Sequence, residues 1–175
     1  DNPFKLKIPT YIPRDREKIP TPTDFKKIRR FITNSIFDEK KIKSGLHRIG
    51  GWWNNNDWFR YMVFFGMKTG MRGGEIRILE WNYNPEIHRP DNRVSYSYLS
   101  NDWKTITIFF KGTENTIPVS NDIRKVLNIL DKKKSDRGDF VFQNPTTKEP
   151  YEKSRFNKCF RELMIGLGLK DNNGK

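Results

Sequence analysis

The sequence predicts an α+β domain, mainly helical, with a small three-stranded antiparallel sheet. Two observations carry that expectation. Apolar residues recur at spacings of three and four in separate stretches, whereas between Val94 and Val119 the period changes to two. The length of 175 residues then fits one domain, or one domain with a tail.

Along the chain, Pro3, Pro9, Pro13, Pro20 and Pro22 recur too often for a helix, so residues 1–22 read as an extended interdomain linker. Thr23 is the expected cap of a first helix in which Phe25, Ile28, Ile32 and Ile36 share a face, with Asp24 favouring the N-terminal dipole. Residues 38–56 read as a polar loop plugged onto the core by Trp52 and Trp53. Asp57 caps a helix apolar nearly all round, with Phe59, Met62, Val63 and Met67 on one stripe and Trp58, Phe64 and Phe65 widening it, which predicts deep burial. It stops at Thr69 and Gly70. A short helix follows from about Gly73 to Trp81, with Ile76 and Leu79 inward.

Three strands come next, marked by Val94, Tyr96 and Tyr98, by Ile106, Ile108 and Phe110, and by Ile117 and Val119. Lys111 to Asn115 have the composition of the turn between the last two. Ser120 or Asn121 caps a helix carrying Ile123, Val126, Leu127 and Leu130, ended by Lys132 to Lys134 and Gly138. Phe140 to Phe142 read as a short buried strand or extended plug. A last helix from about Ser154 turns Phe156, Phe160, Leu163, Met164 and Leu167 inward, and Lys153, Arg155, Lys158 and Arg161 elsewhere.

Composition narrows the class. No stretch approaches the ~20 apolar residues of a membrane span, and the first ten residues lack a signal peptide's apolar core, so a soluble intracellular protein is expected. Cys159 is the only cysteine and is read as a small buried hydrophobe; His47 and His88 lie far apart, so neither a disulfide nor a metal cluster is expected. With 34 Lys plus Arg against 21 Asp plus Glu, the net charge is +13. Such self-repulsion is relieved by a polyanion, and nucleic acid is the expected partner.

The order of features resembles the catalytic domain of the tyrosine recombinases, the phage-integrase family. FGMKTGMRGGEIRILEW (65–81) is similar to that family's first box: a helix, Thr-Gly-hydrophobic-Arg, then a second helix with an acidic residue three after the Arg. TITIFFKGTENTIPVS (105–120) is similar to the hairpin whose turn carries a catalytic lysine. FVFQNPTTKEPYEKSRFNKCF (140–160) resembles the family's plug, Pro-containing loop and DNA-facing helix. The resemblance implies that residues 23–175 form the front part of a catalytic domain with the mainly helical recombinase core.

It also implies a chemistry. A tyrosine attacks a DNA phosphodiester, giving a 3′-phosphotyrosine and a free 5′-hydroxyl without metal or cofactor. The transition state gathers negative charge on the non-bridging oxygens and favours a permanently charged forked donor. Arg72, in a glycine-flanked bend, matches that role, and Gly70, Gly73 and Gly74 would permit the bend and close approach of DNA. Lys111 matches the lysine that protonates the leaving oxygen, with Lys104 taking its place only under a different strand register. Glu75 matches the supporting acidic residue, and equally suits the dipole of its own helix. Lys68, Arg77, Lys104, Lys153, Arg155 and Lys158 are the expected DNA contacts, the last three at the start of the final helix. Double-stranded DNA, and other protomers in a DNA-bound tetramer, are the implied partners.

The family's remaining machinery, a His-x-x-Arg box, a later His or Trp and the nucleophilic Tyr, has no counterpart after Lys111; Tyr151, beside Pro150, is misplaced for it. The expectation is therefore a truncated domain that binds DNA but cannot cleave it. Lys111 lies 39 residues after Arg72, long for the family, and residues 84–103 read as an insertion. A non-catalytic DNA-binding or architectural protein, and an RNA-binding accessory domain, stay open as alternatives.

Overall fold

The computed structural model describes residues 21–38, 57–89, 94–133, 138–144 and 146–169. Residues 1–20 of the expected linker, Trp52 and Trp53 lie outside them. Among the described residues the protein is mixed α and β, with five helices and one four-stranded sheet. None of these helices is long and apolar enough to cross a membrane.

Helix α1 (Pro22–Phe37) starts earlier than expected. Thr21, not Thr23, is its cap, because the fixed φ of Pro22 suits the first helical position, where no N–H is required. Asp24 completes a capping box: the Thr21 N–H donates to Asp24 Oδ2 at 2.8 Å, and the Asp24 N–H donates to Thr21 Oγ1 at 3.3 Å. Ile28, Ile32 and Ile36 are buried against α2 (Asp57–Thr69), while Phe25, expected inward, is 57% exposed. Helix α2 is covered on nearly every side, with Phe59, Tyr61, Met62, Phe64 and Phe65 buried; only Met67 departs from its predicted stripe and faces out. Its rings lock onto later elements, Phe59 on Phe156 and Phe65 on Phe142, with centroids 5.2 Å apart in each pair.

The short helix α3 (Gly73–Arg77) ends before Trp81. Leu79–Glu80 form instead a strand, β1, because their backbone is claimed from both sides. On one side β1 pairs in parallel with β2 (Tyr96–Leu99). On the other, the Val141 N–H donates to Leu79 O at 2.7 Å and the Trp81 N–H to Asp139 O at 2.9 Å. The expected three-stranded antiparallel sheet is thus corrected to a mixed sheet of order β1-β2-β3-β4, with β3 (Thr105–Phe110) and β4 (Thr113–Pro118) antiparallel.

Alternation assigns the two sheet faces. Leu99, Ile106 and Ile108 enter the main core, whereas Tyr96 and Phe109 stack on the opposite face at 5.0 Å. That second face is covered by His88, stacked on Tyr98 at 4.8 Å. The His88 Nδ1 accepts the Asn84 N–H at 2.7 Å, which leaves the ring proton on Nε2, 3.1 Å from Glu80. The residues around 84–89 therefore clamp the sheet. Helix α4 (Asn121–Lys133) adds Ile123, Val126 and Leu127 to the core, and Val141 and Phe142 plug it as expected, bridging to β1 through Phe140 rather than forming a full strand. Helix α5 (Lys153–Gly166) buries Cys159, Leu163 and Met164. Burial pushes the Cys159 thiol up to about 11, in keeping with a packing role.

Candidate functional site

The bend after α2 is built by two local devices. The Gly70 N–H continues the helical pattern to Gly66 O at 3.0 Å, but Gly70 itself takes φ +71°, a left-handed conformation that glycine adopts at no steric cost. Thr69 Oγ1 then accepts the Met71 N–H at 3.2 Å and Met71 is buried, so the next residue, Arg72, points away from the core. Its side chain is 72% exposed.

Glu75 holds Arg72 at both ends. One carboxylate oxygen accepts the Arg72 backbone N–H at 2.7 Å, and the other lies 3.5 Å from Arg72 Nη1. Glu75 is itself nearly buried, and its backbone oxygen accepts the Ser97 hydroxyl at 2.6 Å, which ties the bend to β2. The same carboxylate thus sits in the first turn of α3, where the helix dipole favours it, and beside the guanidinium of Arg72. Of the three glycines expected to shape the bend, only Gly70 has the required backbone. A methyl group added at Gly74 would meet no protein atom within 4 Å, so that surface beside Arg72 stands open.

The β3–β4 hairpin arrives from the other side. Its turn is shorter than expected: Phe110 pairs with Thr113, leaving only Lys111 and Gly112 in the loop. Both have positive φ, +52° and +78°, which defines the primed turn that matches strand twist. Lysine is an uncommon occupant of that first position, where Asn, Asp or Gly is favoured, and the left-handed conformation costs an L-residue of this kind about 1–2 kcal/mol.

Between bend and hairpin lies a concave basin of about 500 Å³, lined by Gly70, Met71, Arg72 and Glu75 on one side and by Ile108, Phe110, Lys111, Thr113, Asn115 and Ile117 on the other. The two residues singled out from sequence, 39 apart, thus share one cavity. Arg72 Cζ lies 5.4 Å, and Lys111 Nζ 5.8 Å, from the centroid of the same ring, that of Phe110. The basin presents two cations and one carboxylate already engaged with Arg72, together with the neutral polar Thr113 and Asn115. Such a surface suits an anion with flanking hydrogen-bonding groups.

Phe110, Thr113 and Asn115 were not singled out by sequence. A two-residue turn would have placed Thr113, Asn115 and Ile117 on one face, by strict alternation from the Phe110–Thr113 pair, but Lys-Gly does not announce such a turn.

The other expected DNA contacts lie outside this basin. Lys68 is held at 2.6 Å by Asp122, whose carboxyl it keeps below the ordinary range, and it borders a separate apolar groove between α1, α2 and α5. Lys104 pairs with Asp102 at 2.8 Å and, through their hydrogen bond, holds that carboxyl well below its usual value. Arg77 donates to Tyr151 O at 3.1 Å, and so ties α3 to the approach of α5. Arg155 lies over the Tyr151 ring at 5.3 Å, itself stacked on Trp58 at 3.8 Å. Lys153 and Lys158 are exposed on the same helix. Among the described residues no tyrosine lines the basin, and Tyr151 is buried in its stack. Among the described residues, no group of three or more His, Cys, Asp or Glu side chains could hold a metal ion. Comparison of the chain with protein-family models, curated proteins and solved structures finds no match.

Proposed function

We propose that the basin binds a nucleic-acid phosphodiester, and that the chain is the DNA-binding part of a tyrosine recombinase, an enzyme that cuts and rejoins DNA through a 3′-phosphotyrosine. One observation carries this reading: a guanidinium and an ammonium from distant parts of the sequence line one cavity, each over the same aromatic ring. In this reading Arg72 grips the non-bridging oxygens, Lys111 stands where a leaving oxygen would take its proton, and Glu75 fixes the guanidinium. Lys153 and Lys158, exposed on α5 outside the basin, are read as further contacts to the DNA backbone. The reading needs a nucleophile and a second arginine from outside these 175 residues. The chain alone is therefore expected to bind duplex DNA without forming a covalent adduct.

Salt dependence tests the proposal. Arg72→Ala and Lys111→Ala should each weaken binding to a short duplex and reduce the slope of log affinity against log salt by about one. Lys132→Ala, remote from the basin in sequence and on α4, should do less. Equal effects from all three would reduce the pair to ordinary surface charge. Single-stranded RNA outcompeting the duplex would replace the recombinase reading with an RNA-handling one.

A further inference from the structure

We propose that Phe110 is the positioning residue of the basin, its ring holding Arg72 and Lys111 convergent on a single phosphodiester. The choice of ligand rests on the reading above; the platform is a property of the free chain. Two like charges drawn together repel, and a carboxylate set between them would relieve that repulsion while cancelling the field offered to an anion. An aromatic face attracts each cation through its quadrupole and adds no net charge. Both cations lie within the range of that attraction, at 5.4 and 5.8 Å. The ring is itself anchored: Phe110 ends β3, its backbone is paired with Thr113, and it packs half-buried against the core. Glu75 restrains Arg72 from its own helix and the turn fixes the backbone of Lys111, while both cations lie over the Phe110 ring.

Side-chain NMR of the free, labelled chain provides the readout, because protons above a ring face move upfield and a merely structural residue would not move them. The methylene protons next to Arg72 Nε and Lys111 Nζ are expected upfield of their unstructured positions. Phe110→Leu keeps apolar bulk on the strand; it should return both sets to unstructured positions and weaken binding of a short DNA duplex about two- to fivefold. Phe110→Tyr should restore both readouts. Unshifted methylenes in the natural chain, shifts that survive in the leucine variant, or a tyrosine variant that restores neither readout would overturn the proposal. If the leucine variant does not fold, the natural and tyrosine spectra still decide. If Arg72→Ala and Lys111→Ala weaken DNA binding while Phe110→Leu does not, the platform falls. If all three leave binding unchanged, the phosphodiester reading falls instead.

Discussion

Lys111 occupies a backbone conformation that its side chain makes unfavourable, at the tip of a hairpin that Asn-Gly would close with less strain. Under the proposed phosphodiester reading, the ammonium at this tip serves binding at a local cost in stability. Lys111→Asn is accordingly expected to raise the stability of the chain by about 0.5–1 kcal/mol, seen as a higher denaturant midpoint, and to weaken duplex binding in the same preparation. A substitution that lowers both would remove the argument. Arg72 was legible in the sequence because its signal is local: the residues that bend the chain and the carboxylate that holds it all lie between Thr69 and Glu75. The turn at Lys111 was legible only in outline. Its two-residue length depends on pairing between Phe110 and Thr113, and lysine gives no hint of a left-handed backbone.

At the scale of elements, α3 begins with two glycines of which the fold requires neither for a positive φ. Gly74→Ala meets empty space, so the gain in helix propensity should stabilise the protein by up to about 1 kcal/mol in a denaturant titration. If DNA approaches Arg72 across this surface, the same methyl should weaken binding.

The sheet offers a test by pH. Burial first, and then the hydrogen bond to Glu114 at 3.0 Å, push the Tyr96 hydroxyl up to about 12 from its ordinary 10. The folded state thus favours the protonated phenol. Its contribution is intact below pH 10 and is lost as pH rises from about 10 to about 12. Tyr96→Phe should flatten that alkaline fall in the denaturant midpoint. The long helices were readable because α1, α2, α4 and α5 each state their period within their own residues. Strand β1 was not: two residues that continue a helical pattern are drawn into the sheet by Ser97 and Tyr98 on one side and by residues 139–141 on the other. Local periodicity carries no trace of partners so distant.

At the scale of the whole molecule, the net charge is +13. Lys68 and Lys104 are neutralised by Asp122 and Asp102, so the surplus resides on other lysines and arginines. Duplex binding should therefore fall linearly in log affinity against log salt, by about 0.9 per phosphate contacted, whatever the duplex sequence. A salt-independent affinity would mean that the surplus serves solubility alone.

The lacing of Asp139 and Val141 onto β1 has a consequence for synthesis. When Leu79 and Glu80 leave the ribosome they have no second neighbour, and some sixty residues must still emerge before one arrives. Throughout that interval the nascent sheet presents an open rim on either flank, the condition in which unfinished chains recruit one another. Once Val141 docks, among the described residues only the β4 flank stays open, and there Thr113, Glu114, Asn115 and Thr116, exposed and alternating between the two faces, are polar enough to discourage a stray strand.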